Sequence, residues 1–183
     1  MTIDEIFSVM ASHMIQGIMT HEQLMNSYAF LGLEGYAKCH EYHYISETRS
    51  YIKFCRYKNR HFSSLISPGS LITPEVIPKS WYGKVRESVD DKTRAEAIIA
   101  ALNEWINWEE STVSLYKKCY SEAFTLGDIP TAKFIESYIL DAEEELSFAR
   151  NEMLLKSSMK FDIVSILEEQ HTWKKKYKKK LKN

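Results

Sequence analysis

Glycine and proline are scarce in this 183-residue chain, six and four respectively, and no Asn-Gly or Asp-Gly dipeptide occurs. A meander of β-hairpins would have little to reverse on, so the scarcity favours an all-α chain. Cysteine is nearly absent: Cys39, Cys55 and Cys119 are an odd set with no C-x-x-C pair. That speaks against a disulfide framework and a zinc knuckle, and the expectation is a reducing, cytoplasmic setting. No apolar run approaches the ~20 residues needed to cross a bilayer. The opening MTIDEIF is acidic and has no charged leader before an apolar stretch, so neither a membrane span nor an export signal is expected.

What is present is an ordinary soluble composition, 44% hydrophobic, in a length that suits one domain with a substantial core. The net charge of -1 hides an asymmetry, because seven lysines crowd the segment after Trp173 and leave the body acidic. Thr2 or Asp4 can cap a first helix with apolar residues at helical spacing, and Gly32 with Gly35 allows a tight reversal into a second. Residues 66–90 hold three of the four prolines and read as a connection long enough to run the length of a bundle. Helices are expected over 93–124, capped near Asp90 or Asp91, and over 131–157, with Gly127, Asp128 and Pro130 between them. The organisation predicted is a four-helix bundle over 1–160, then a short amphipathic helix and lysine-rich tail over 161–183 that lies across the bundle end. Two hairpins joined by one long crossover is the ferritin-type way of closing such a bundle.

Several acids fall in apolar register. Glu109 continues the stripe Ile98, Leu102, Trp105, Thr112, Tyr116, which steps by three and four residues. Glu22 occupies a rung between Ile18 and Met25, and Glu47 lies on the stripe His40, His43, Ser50, Phe54. A carboxylate on a buried face is costly unless something binds it. Two partners suit: a shared cation, or the arginines, lysines and eleven tyrosines of the chain. His40 and His43 are read first as ring-packing residues at a helix interface.

The third and fourth helices resemble the ferritin family: its glutamate followed by a Phe-Ile-Glu-x-x-x-Leu segment is matched by Glu109 and by Phe134, Ile135, Glu136 and Leu140. The second helix, YAKCHEYHYISETRSYIKF, resembles the family's Glu-x-x-His segment with Glu47 on its glutamate, and HEQLMNSYAFL resembles the first-helix segment. The resemblance spans roughly residues 15 to 155 and implies an all-α, ferritin-like four-helix bundle with a long crossover between helices 2 and 3 and a short C-terminal helix. It also implies a di-iron or di-manganese carboxylate site on Glu22, Glu47, Glu109 and Glu143, with ferroxidase-like chemistry. The departure is that Ser50 replaces the motif histidine and Leu146 stands three residues after Glu143. The imidazole would have to come from His43 or His21. The alternative is a metal-free ferritin-like scaffold acting as an interaction protein. The lysine tail has no arginine and so lacks bidentate phosphate geometry, which favours a solvated terminus over a nucleic-acid or anionic-surface contact. Lysine-bearing helix ends meeting at a symmetry axis would repel, so a homo-dimer or small homo-oligomer is expected rather than a cage.

Overall fold

The computed structural model describes residues 1–62 and 89–182. The connection expected over 66–90 therefore lies outside the described residues, apart from its last two. The described residues form five helices: α1 (Ile3–Phe30), α2 (Glu34–His61), α3 (Asp91–Thr125), α4 (Ile129–Ser158) and α5 (Ile163–Lys180). None of them is long and apolar enough to cross a membrane.

Local chemistry sets the ends. Thr2 accepts from the Glu5 backbone N–H while Glu5 reaches back to the Thr2 N–H, a capping box that satisfies two orphan donors of α1. Asp90, Asp128 and Asp162 cap α3, α4 and α5 in the same manner, each accepting from the backbone N–H three residues on. Gly32, with φ 77, makes the turn between α1 and α2, a conformation that favours glycine. Gly35 serves a different purpose from the expected reversal. It lies inside α2 against α5, and a Cβ there would run into the Gln170 carbonyl oxygen.

Contacts fix the directions. Asp4 pairs with Lys58 and His21 with His40, so α1 and α2 are antiparallel. Glu110 pairs with Arg150 and Lys117 with Glu143, so α3 and α4 are antiparallel too. His13 touches Thr112 while the Met1 amine reaches Glu122, which sets α3 antiparallel to α1 and hence parallel to α2. That is the direction a full-length crossover produces.

α5 departs from the expected placement across the bundle end. It turns back at Met159 to Asp162 and runs along the upper half of α2, Tyr36 meeting Trp173 and Tyr42 meeting Tyr177. Its other side faces α4, where the fully buried Lys156 pairs with Glu152 and Glu169. The lysine run is the last two turns of this helix rather than a loose tail, because Trp173 and Tyr177 carry an apolar face through it.

The apolar core comes in two blocks. One gathers Leu24, Tyr28, Ile98, Trp105, Ala149 and Trp173; the other gathers Phe7, Met14, Phe54, Tyr116, Ile135 and Tyr138. Between them, at the same height on every helix of the bundle, the inward positions turn polar.

Candidate metal centre

Each helix contributes to that polar belt from the rung where its apolar stripe is interrupted. On α1 the buried stripe runs Met10, Met14, Gly17, His21, Leu24, Tyr28, so the imidazole of His21 is fully enclosed. α2 adds His40 and His43, both buried, and the partly buried Glu47. α3 adds Glu109, only 3% exposed, and α4 adds Glu145.

The His21 ring stacks on both other imidazoles, 5.3 Å from His40 and 5.2 Å from His43 between ring centroids. His43 Nδ1 is 3.2 Å from Glu145 Oε2, and His21 Nε2 is 4.0 Å from the same oxygen and 3.8 Å from Glu109 Oε1. None of these approaches is aligned as a hydrogen bond. His21 Nε2, both ring nitrogens of His43 and Glu145 Oε2 are consequently buried polar atoms without a hydrogen-bond partner among the described residues. Such groups cost free energy unless something meets them. One donor atom each from His21, His43 and Glu145 lie within 4.8 Å of one another. Ligands about 2.0 to 2.2 Å from a shared ion stand roughly 3 to 4.4 Å apart, so this trio fits a cation with minor adjustment. Two imidazoles with carboxylate oxygen are a donor set for divalent transition metals.

The electrostatics agree with a belt in which the carboxyls outnumber the cationic groups beside them. Burial, and then the neighbouring charges of Glu145 and Asp141, push the Glu47 pKa up to about 8 against the opposing effect of His43. Burial, followed by Glu145 and Glu47, also holds Glu109 well above the usual carboxylate range. Trp105 Nε1 donates to Glu109 Oε1 at 3.1 Å and fixes that carboxyl without neutralising it. Burial lowers His21 and His40 well below the ordinary histidine value, and the charge of His43 adds to this. For His43 itself, burial disfavours the charged ring, but the adjoining Glu145 carboxylate and Cys39 outweigh it and raise the pKa. No lysine or arginine forms an ion pair with Glu47, Glu109 or Glu145 among the described residues.

A cavity of about 410 Å³ opens beside the cluster between α2, α4 and α5. Glu47, Glu109 and Glu145 border it, buried Tyr116 and Tyr138 form its inner wall, and the exposed Lys176 and Lys180 stand at its rim. Lys180 rests over the Tyr42 ring at 4.6 Å.

Of the residues expected from the sequence, Glu47, Glu109, His21 and His43 are brought together, and Glu22 and Glu143 are not. Glu22 is exposed because the buried stripe of α1 passes through His21, and the next residue lies about 100° further round the helix. Glu143 is likewise on the outer face, paired with Lys117 at 2.6 Å. The fourth-helix carboxylate in the belt is Glu145. Its signal was the stripe Tyr138, Ala142, Ala149, which is continued by the third acid of Glu143-Glu144-Glu145 and not by the first. Ser50, in place of the family histidine, borders the cavity and accepts from the Tyr138 hydroxyl through its backbone carbonyl at 3.3 Å.

No protein-family profile matches the sequence, and no curated protein matches it. Solved structures do. A humanized archaeal ferritin superposes with a TM-score of 0.79 at 13% identity, covering 94% of each chain. An engineered closed form of the Archaeoglobus fulgidus ferritin and the open-pore ferritin of that hyperthermophilic archaeon each give 0.73, at the same identity and coverage. Likeness at this identity speaks for architecture and not for chemistry, and on that architecture the chain has the ferritin-like fold.

Proposed function

We propose that the chain is a ferritin-like metal-binding protein that takes iron or manganese at the centre of its bundle. The observation that carries the reading is the convergence of His21 Nε2, the His43 ring nitrogens and Glu145 Oε2, all buried and without hydrogen-bond partners. His21, His43 and Glu145 would hold a first ion, and Glu47 and Glu109 stand beside them as oxygen donors for a second. Iron or manganese bound there supplies redox chemistry toward dioxygen, which is the basis for a ferroxidase-like activity when two ions are present.

The residues of the chain have distinct tasks in this reading. Burial raises the pKa of the Glu47 and Glu109 carboxyls, so binding a cation there would displace protons from them. Trp105 holds the Glu109 carboxyl in place. The cavity between α2, α4 and α5 gives the belt its access, and the apolar blocks on either side exclude water elsewhere. A homo-dimer or small homo-oligomer is the assembly proposed, and the cytoplasm the compartment.

The test is elemental analysis of protein purified without chelator and after anaerobic ferrous loading, comparing wild type, Glu145→Gln and Glu143→Gln. Stoichiometric metal in wild type and Glu143→Gln, with loss in Glu145→Gln, is expected. No stoichiometric metal in the wild type would leave the second reading, a metal-free ferritin-like scaffold that acts as an interaction protein.

A further inference from the structure

His40 lies against the centre without facing it. Its Nδ1 is 3.0 Å from Nδ1 of His21, and both rings are buried, 2% and 0% exposed. A neutral imidazole carries one N–H and one lone pair, so a hydrogen bond between two Nδ1 atoms needs the proton on one of them and a bare nitrogen on the other. Two arrangements satisfy that bond. In the first, His21 donates and its Nε2 is bare. In the second, His40 donates and the His21 proton sits on Nε2, where it blocks ligation. Only the first presents His21 Nε2 to a cation, and it requires His40 to accept at Nδ1 and keep its own proton at Nε2.

Ring contacts hold the His40 side chain in place. Its ring stacks on Tyr28 at 5.3 Å with planes 11° apart and meets Trp105 edge-on at 4.6 Å. No other hydrogen-bond partner of His21 Nδ1 occurs among the described residues. A metal-bound histidine ordinarily donates its second N–H to a carboxylate, carbonyl or water that fixes tautomer and ring orientation. Here an imidazole takes that place.

We infer that His40 is a positioning residue for metal binding, accepting the Nδ1 proton of His21 so that His21 Nε2 faces the cation. This rests on the metal-binding reading above. His40 touches no metal itself; it selects which tautomer of His21 is present and restrains its ring.

The experiment is a Zn²⁺ titration of the full chain as wild type, His40→Phe and His40→Asn, alongside thermal unfolding of each metal-free protein. Loss of an outer-shell partner ordinarily weakens metal affinity about 10- to 100-fold, and that loss is expected for the Phe variant. The Asn variant is expected closer to wild type, because its side-chain oxygen stands near the position of the lost Nδ1. Rescue by Asn separates positioning from ring packing, since Phe is the better packing substitute. A measurement that needs no variant is ¹⁵N-histidine NMR of the Zn²⁺-loaded wild type, with His21 protonated at Nδ1 and His40 at Nε2. A proton on Nδ1 of His40 in the loaded protein, or a Phe variant that binds Zn²⁺ as tightly as wild type, overturns the inference and leaves the metal site standing. A wild type that binds no Zn²⁺ overturns both.

Discussion

Replacing Lys156 by methionine tests how α5 is held against the bundle. The ammonium is fully buried, 3.0 Å from Glu152, paired also with Glu169, and over the rings of Tyr36 and Trp173 at 5.2 and 5.7 Å. Methionine preserves much of the volume but leaves two acids facing each other, one of which still accepts from the Tyr36 hydroxyl. Removing one partner of a buried ion pair costs about 3 to 5 kcal/mol. The lower end applies here, since Glu152 and Glu169 keep 11% and 21% side-chain exposure. A loss of about 3 kcal/mol in a chain of this size lowers Tm by roughly 6 to 12 °C.

The sign with pH follows from Glu152. Burial already raises its pKa while Lys156 works against that rise, so removing the lysine raises it further. A carboxyl whose folded pKa exceeds its unfolded value loses stability as pH climbs through the folded value, so the deficit of Lys156→Met grows from pH 5 to pH 8. Thermal unfolding followed by circular dichroism at both pH values measures it. Adding Glu152→Gln and Glu169→Gln removes the unpaired charges and recovers most of the loss. A deficit under about 1 kcal/mol in the single variant, the size of an exposed pair, would refute the buried-staple argument. So would a triple variant no better than the single.

Three further outcomes are expected. Gly35→Ala drives a methyl into the Gln170 carbonyl oxygen, and forcing such an overpacked contact costs about 1 to 3 kcal/mol, read by denaturant unfolding; no loss would place α5 elsewhere. Burial lowers His13 to a pKa of about 4, so between its unfolded value of about 6.5 and pH 4 the unfolded chain binds the extra proton. Its contribution to stability is therefore lost as pH falls through that window, with a slope up to about 1.4 kcal/mol per pH unit; His13→Gln flattens the urea-unfolding profile there. Size-exclusion chromatography with light scattering is expected to give a dimer or small oligomer, and a cage-sized mass would refute the lysine-repulsion argument.

The bundle was legible where a stripe had one solution. Ile98, Leu102, Trp105, Glu109 and Tyr116 are buried as a row in α3, because bulky residues at three- and four-residue steps leave no other face to hide. In α1 two registers competed. Ile18 and Met25 form an apolar row that points to Glu22, yet the enclosed row uses Met14, Gly17 and His21. The enclosed row contains a glycine, which weakens its apolar pattern but lets the Trp108 ring approach, its Cζ2 3.1 Å from where a Cβ would be. In α4 three consecutive acids offered three faces, and the resemblance to ferritins selected Glu143 where packing selects Glu145. The lysines of α5 obscured Trp173 and Tyr177, whose rings dock the helix on α2. A histidine pair joined through Nδ1 atoms on separate helices has no sequence signature, and the spacing of His40 alone points to ring packing.

The interruption of the core at mid-height also bears on how the molecule opens. Apolar blocks on either side of a polar layer share few contacts across it, so each can fluctuate as its own cooperative unit. An ion gripped from α1, α2 and α4 at that layer would act as a rivet between the blocks. Amide exchange at the ends of the bundle would then slow on loading, far from any ligand, because opening one block would first have to break the joint.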